Sequence, residues 1–105
     1  MRTATEIRKA YEEKQAERYE AKLEVVTSAA NYISEILFEE AKSGKFAPNM
    51  CKDFNILDLE RLWINNKYSF SGSTICGDEL HDILNKNGID FEKINNSQIR
   101  VFLSK

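Results

Sequence analysis

The sequence predicts an α+β fold, in which a long N-terminal helix and two shorter helices support a small antiparallel sheet that ends in a C-terminal β-hairpin. Residues 3–43 contain neither Gly nor Pro and repeat apolar residues at helical spacing, whereas residues 89–103 alternate apolar and polar residues around a turn. The 105 residues correspond to one domain. We therefore predict a charged helical extension over residues 1–22 and a single α+β domain over residues 23–105.

The first helix has clear start and stop signals. Thr3 precedes Glu6 at the spacing of a capping box, which predicts a helix beginning there. Lys42 suits the negative end of the helix dipole, and Gly44 allows the left-handed conformation that ends many helices. Pro48 prevents the helix from resuming early. The expected helix therefore ends near residue 43.

An apolar stripe indicates which part of this helix is buried. Six residues follow a 4-3-4-3-4 spacing: Tyr19, Leu23, Val26, Ala30, Ile33 and Leu37. Five more widen the stripe: Val25, Ala29, Tyr32, Ile36 and Phe38. A face of this width is typical of a helix that packs against more than one neighbour, so residues 23–41 are expected to form one side of the core.

The segment 1–22 is rich in charge and poor in residues that could form a core. It contains six basic and five acidic side chains, and after Met1 its large apolar residues are Ile7, Tyr11 and Tyr19. A helix of about 40 residues is ~60 Å long, whereas a compact domain of this size has a radius of gyration of ~13 Å. The amino end must therefore project, bend near residue 27 or meet a partner. We expect the partner-binding residues to be Ile7, Tyr11, Arg18 and Tyr19.

The middle of the chain predicts a second helix and a short strand. Asn55 can cap a helix that we place over residues 55–64, and Asn65–Asn66 can end it because Asn tolerates the left-handed conformation. Its buried face would consist of Ile56, Leu59, Leu62 and Trp63. Tyr68 and Phe70 alternate with serines, which indicates a strand.

A third helix and a hairpin complete the predicted domain. Thr74 or Asp78 can cap the helix, which we place over residues 75–87 and which Asn87–Gly88 would end. Its inner side would consist of Cys76, Leu80, Ile83 and Leu84. In the hairpin, a two-residue loop would put the apolar residues of the two strands on opposite faces, whereas a three-residue loop puts them on one face. The predicted pairs are Ile89 with Leu103, Phe91 with Val101, and Glu92 with Arg100.

Composition argues against several classes of function. The 17 acidic and 15 basic residues leave a net charge of −2, which gives no general reason to bind nucleic acid or an anionic membrane. Cys51 and Cys76 lie 25 positions apart, and the chain contains one histidine, so the sequence has no zinc-binding or dithiol motif. We expect both cysteines to be reduced, and we expect no metal and no cofactor. No apolar run reaches the ~20 residues of a membrane span, and charge follows the N-terminus where a signal peptide is apolar. We expect a soluble, cytoplasmic protein.

The one histidine offers the only catalytic candidate. His81 follows Asp78 by three positions, but no local motif places a Ser or Cys nucleophile beside it. The sequence contains neither a glycine-rich phosphate loop nor an HExxH motif. We therefore predict a surface histidine among acidic residues, no catalytic residues and no enzymatic activity.

The predicted helices and hairpin also follow one another as the helices and wing of a winged-helix domain do. In that arrangement, residues 75–87 would form the recognition helix. This helix would present Asp78, Glu79 and Asp82 to the phosphates of DNA, which opposes binding. Nucleic-acid binding is therefore the alternative function, and a winged fold used for protein contact stays open.

Residues 33–103 combine a Lys/Glu/Asn-rich composition with a leading helix, a Gly-Lys break and a closing helix-hairpin that contains NKNGIDF. In this general organisation the chain resembles small accessory proteins encoded by bacteriophages and other mobile elements. Many such proteins bind and modulate a host or viral protein. The resemblance implies a modulator, inhibitor or assembly factor in the host cytoplasm. We expect it to bind a protein or to form a homodimer through its first helix.

Overall fold

The computed structural model describes residues 1–61 and 70–104 and has the predicted α+β fold. The elements within these residues are, in chain order, α1 (Ala4–Lys42), β1 (Cys51–Asn55), α2 (Ile56–Glu60), α3 (Gly72–Ile75), α4 (Asp78–Lys86), β2 (Ile89–Lys93) and β3 (Gln98–Leu103). No helix in these ranges is both long and apolar enough to cross a bilayer.

Helix α1 is one element of 39 residues. The Thr3 hydroxyl accepts a hydrogen bond from the Glu6 amide at 3.2 Å, as the capping box predicts. Gly44 follows the helix with φ of 79°, which is the left-handed conformation expected at the stop. The molecule measures 65 × 25 × 24 Å. The amino end of α1 therefore projects from the rest of the chain and does not fold back by a bend near residue 27.

The sheet is antiparallel with strand order β1-β3-β2. All three predicted hairpin pairs are confirmed, namely Ile89 with Leu103, Phe91 with Val101, and Glu92 with Arg100. The sequence predicts a loop that ends near residue 52 and a helix that begins at Asn55. The structure instead has the edge strand β1 over Cys51–Asn55, in which only Phe54 is buried. The strand predicted at Tyr68 and Phe70 falls mainly outside the described residues, and Phe70 itself is buried outside any strand.

The predicted third helix is α4, which begins at Asp78 and not at residue 75, so neither predicted cap, Thr74 or Asp78, caps it; a separate short helix, α3, precedes it. Ser71 caps α3, Gly77 caps α4, and Cys76 lies between them with φ of −88° and ψ of 51°, which is not helical. Gly72 begins α3 close to α2: its amide donates to the Glu60 Oε1 at 2.7 Å, and a Cβ there would overlap the Ile56 side chain. The predicted end at Asn87–Gly88 is confirmed, since Gly88 has φ of 74°.

The core lies between the carboxyl half of α1, the shorter helices and one face of the sheet. From α1 it contains Val25, Val26, Ala29, Ala30, Ile33 and Leu37. The predicted inward residues Ile56, Leu59, Cys76, Leu80 and Leu84 are buried, Ile83 is half-buried, and Leu62 and Trp63 lie outside the described residues. We name residues 21–61 and 70–104 the body, since burial begins at residue 21. The predicted stripe also includes Tyr19 and Phe38, which are 51% and 59% exposed because Tyr19 precedes the body and Phe38 turns away from it.

Among the described residues, a helix and a strand are followed by shorter helices and a hairpin, and the last strand of that hairpin, β3, pairs with β1. In the winged-helix alternative, α4 would correspond to the recognition helix and β2–β3 to the wing.

Candidate interaction surface

The amino-terminal part of the chain is exposed at every position from residue 1 to residue 20. We name residues 4–20 of α1 the arm; at 1.5 Å per residue it is about 26 Å long. Its large apolar side chains Ile7, Tyr11 and Tyr19 are 61%, 65% and 51% exposed. Side chains of this kind are usually buried when a helix has a neighbour, so the arm presents an apolar surface to solvent.

The apolar residues of the arm lie on the same face of α1 as the core residues. Because an α-helix returns to the same direction after every five turns, positions i and i+18 share one face. Ile7, Tyr11 and Tyr19 stand in this relation to three buried residues, which are Val25, Ala29 and Leu37 in the same order. The face that packs onto the body therefore continues along the arm after the body has ended.

Contacts of Arg18 and Lys22 fix the base of the arm to the body. The Arg18 guanidinium lies 5.5 Å from the centroid of the Phe70 ring, and the Lys22 Nζ lies 2.8 Å from the Glu79 Oε1 on α4. The hydrogen bond from Lys22 holds the pKa of Glu79 below its ordinary value. The arm therefore leaves the body in a defined direction.

A groove of about 240 Å³ lies at this junction. Its lining comes from α1 and from the segment around α3 and consists of Gln15, Arg18, Tyr19, Lys22, Phe70 and Thr74. Of the four predicted partner-binding residues, Arg18 and Tyr19 border this groove, whereas Ile7 and Tyr11 lie further along the arm. The structure thus places the four on one elongated surface and not in one pocket. Sequence reasoning misses the groove because Phe70 and Thr74 are distant from α1 in sequence.

The surface that a winged-helix domain would turn to DNA is mainly acidic here. Asp78 and Asp82 are exposed on α4, and Glu79 holds Lys22. On the sheet, Arg100 lies opposite Glu92, but its guanidinium pairs with Asp53 on β1 at 2.9 Å. The hydrogen bond to Asp53 is the main cause that raises the pKa of Arg100, and the charge of Glu92 across the hairpin acts in the same direction.

His81 contacts the sheet, where its neighbours are Phe91 and the acidic Asp90 of β2. Its ring stacks on Phe91 with centroids 3.9 Å apart and planes 5° apart, and its Nδ1 lies 3.1 Å from the Asp90 Oδ1. The carboxylate that orients the imidazole is therefore Asp90 of β2, not Asp78. The predicted surface position is thus wrong in part, because the ring is half-buried between α4 and β2.

Both cysteines are free thiols, as predicted. Cys76 is buried, and burial raises the pKa of its thiol to about 11, whereas Cys51 is exposed on β1. Among residues 1–61 and 70–104, no cluster of His, Cys, Asp and Glu side chains could hold a metal ion.

A second groove lies at the opposite end of the body. It has a volume of about 240 Å³ and a largely apolar lining, which includes Leu37, Phe38, Phe46, Pro48, Ile89 and Leu103. Phe38 is 59% exposed at its rim. The only sequence signal for this groove is the presence of Phe38 in the apolar stripe.

In comparisons with known proteins, no family model, curated protein or solved structure matches the chain.

Proposed function

We propose that the protein is a non-enzymatic interaction module that binds a protein through the arm, first of all a second copy of itself. It would act as a modulator, inhibitor or assembly factor, like the phage and mobile-element accessory proteins that it resembles. The observation that carries the proposal is the exposure of Ile7, Tyr11 and Tyr19 on the same helix face that is buried further along α1. An apolar surface of this kind is typical of a protein contact site.

The energetics are compatible with a symmetric partner. Burying a large apolar side chain contributes about 1.5–3 kcal/mol, while association costs about 4–15 kcal/mol in lost freedom. Three apolar residues on one side of an interface barely offset that cost. In a homodimer both copies contribute the same residues, so the proposed self-association is favourable but modest and depends on concentration.

The charge of the extension also favours a protein over a nucleic acid or a membrane. Residues 1–22 contain six basic and five acidic side chains, so they create no strong field of one sign. Some of these charges pair within the helix, as Arg2 does with Glu6 at 2.9 Å. Mixed charges around an apolar stripe are typical of helix–helix contacts, where they select the partner.

Sedimentation equilibrium over a wide concentration range tests the proposal. The intact chain is expected to dimerise, and the double variant Tyr11→Glu, Tyr19→Glu is expected to weaken the dimer by more than about tenfold in Kd. The matched control Ala10→Glu, Ala16→Glu adds the same two charges to the arm away from the centre of the apolar face. It should dimerise like the intact chain. A strictly monomeric intact chain, or a dimer indifferent to both tyrosine substitutions, contradicts the proposal.

A winged-helix regulator of nucleic acid is the second candidate, and the order of elements favours it. The acidic residues Asp78 and Asp82 on α4 oppose it, because they would face phosphates. Titration of labelled duplex DNA at low salt separates the two candidates. Salt-sensitive binding that Lys86→Glu abolishes would favour the regulator, and an absence of binding would favour the interaction module.

A further inference from the structure

We infer that the partner of the arm is the arm of a second copy in antiparallel orientation, with Ile7 of each copy entering the junction groove beside Tyr19 of the other. This inference rests on the proposed function and gives it a partner and a geometry. It follows from the position of the body, the charges on the shared face, the length of the arm and the size of the groove.

The body excludes a parallel pair that uses this face. The body and the apolar residues of the arm lie on the same side of α1, because Ile7 and Tyr11 align with the buried Val25 and Ala29. The axes of two packed helices are about 8–10 Å apart, whereas the molecule is about 25 Å wide across its long axis. In a parallel pair both bodies would occupy the space between the two helices at the same level. In an antiparallel pair they lie at opposite ends.

The charges on the face favour the same orientation. Lys14 and Arg18 lie on the shared face of α1. Five helical turns further along, the half-buried Tyr32 and Ile36 point in the same directions as these two residues. A parallel pair in register would place each cation opposite its own copy, which is destabilising. An antiparallel pair places this basic half opposite the amino half of the arm. Around Tyr11 that half carries Arg8 and Glu12 on the face. Lys14 then lies opposite Glu12, whereas Arg18 lies opposite Arg8, so the antiparallel pair has fewer like-charge contacts than the parallel pair but is not free of them.

The length of the arm fixes the register. Full overlap of two antiparallel arms brings the tip of one, near residue 4, to the junction of the other, near residue 22, where burial begins. The residue numbers of two positions that face each other across the pair then sum to about 26. Ile7 therefore lies beside Tyr19 of the second copy, and Tyr11 lies beside Gln15 of the second copy. The junction groove has a volume of about 240 Å³, and its lining combines the rings of Tyr19 and Phe70 with four polar side chains, Gln15, Arg18, Lys22 and Thr74. A cavity of ~150 Å³ already holds a benzene ring, so the groove has room for one isoleucine side chain.

Cysteine cross-linking tests the orientation. In a Cys51→Ser background, which removes the exposed thiol, chains carrying Ile7→Cys or Tyr19→Cys are oxidised alone and as a mixture in which one chain bears a mass tag. The mixture is expected to form the mixed disulfide, while each chain alone stays uncross-linked. In the antiparallel pair the two copies of residue 7 are about 18 Å apart along the helices, which is beyond disulfide reach of ~7 Å between Cα atoms.

Glu20→Cys provides the matched control, because position 20 neighbours Tyr19 but points away from the face. It should not cross-link with Ile7→Cys. Two results would overturn the antiparallel inference but not the proposed function. One is a disulfide between two Ile7→Cys chains, and the other is a chain that dimerises but forms no disulfide between Ile7→Cys and Tyr19→Cys. Sedimentation of the reduced Cys51→Ser chain separates the two cases, since a monomer at every concentration removes both.

Discussion

Arg100 on β3 and Asp53 on β1 form a two-point ion pair, with Nε to Oδ1 at 2.9 Å and Nη2 to Oδ2 at 3.4 Å. The pair joins the predicted hairpin to the edge strand that extends the sheet. Both side chains remain more than 40% exposed, so water and salt screen the attraction. The pair therefore marks the register of β1 against β3 more than it stabilises the sheet.

A comparison of Val101→Ala with Arg100→Ala tests which face of the hairpin holds the domain together. Val101 is fully buried, so its truncation is expected to cost about 1–5 kcal/mol of unfolding free energy. Loss of the exposed pair with Asp53 should cost much less, because solvent already screens it. Urea denaturation of both variants measures the difference. A larger loss for Arg100→Ala would mean that the strand is rotated.

The elements that the sequence predicts well carry local signals. The start of α1 follows from the hydrogen bond between the Thr3 hydroxyl and the Glu6 amide, and the hairpin register follows from alternation around a short turn. The exposed residues Ile7 and Tyr11 are identifiable because no other large apolar residues surround them. In each case the evidence lies within a few residues of the feature itself.

The features that the sequence does not predict depend on distant contacts. Strand β1 has one buried residue, Phe54, and its other residues read as a polar loop until β3 pairs with them. The orientation of His81 depends on Asp90 across α4 and β2. The junction groove requires Phe70 to lie beside Arg18, and no spacing pattern connects those two positions.

Thiol reactivity should separate the two cysteines. Because burial raises the pKa of Cys76 to about 11, only about one thiol in a thousand at that site is ionised at pH 8. The folded chain is expected to react rapidly with a thiol reagent at Cys51 alone, and both cysteines should react in denaturant. The Cys51→Ser variant serves as control, since it should lose the rapid phase. A rapid reaction that persists in this variant would show that Cys76 is accessible.

The ion pair between Lys22 and Glu79 predicts a pH dependence of stability. The pKa of Glu79 is lowered in the folded state by the hydrogen bond from Lys22, so the pair contributes stability above the unfolded pKa. That contribution is lost as the pH falls below the ordinary glutamate pKa of 4.5 and then through the lowered pKa of the folded state. Glu79→Gln should therefore cost about 1 kcal/mol at pH 7 and much less at pH 3. Urea denaturation at the two pH values measures this, and an equal cost at both would contradict the assignment.

Deletion of residues 2–18 tests whether the arm belongs to the folded domain or serves only as a contact surface. Burial begins with the half-buried Ala21 and is complete at Val25, so the deletion removes exposed side chains together with the contact of Arg18 with Phe70. We expect the shortened chain to keep a cooperative thermal transition, with a loss of about 1 kcal/mol or less from that cation–π contact. The measurement is made at a concentration where the intact chain is monomeric, because dimerisation would otherwise stabilise only the intact chain. If the shortened chain is unfolded there, the deleted segment is part of the core, and the predicted boundary at residue 22 is wrong.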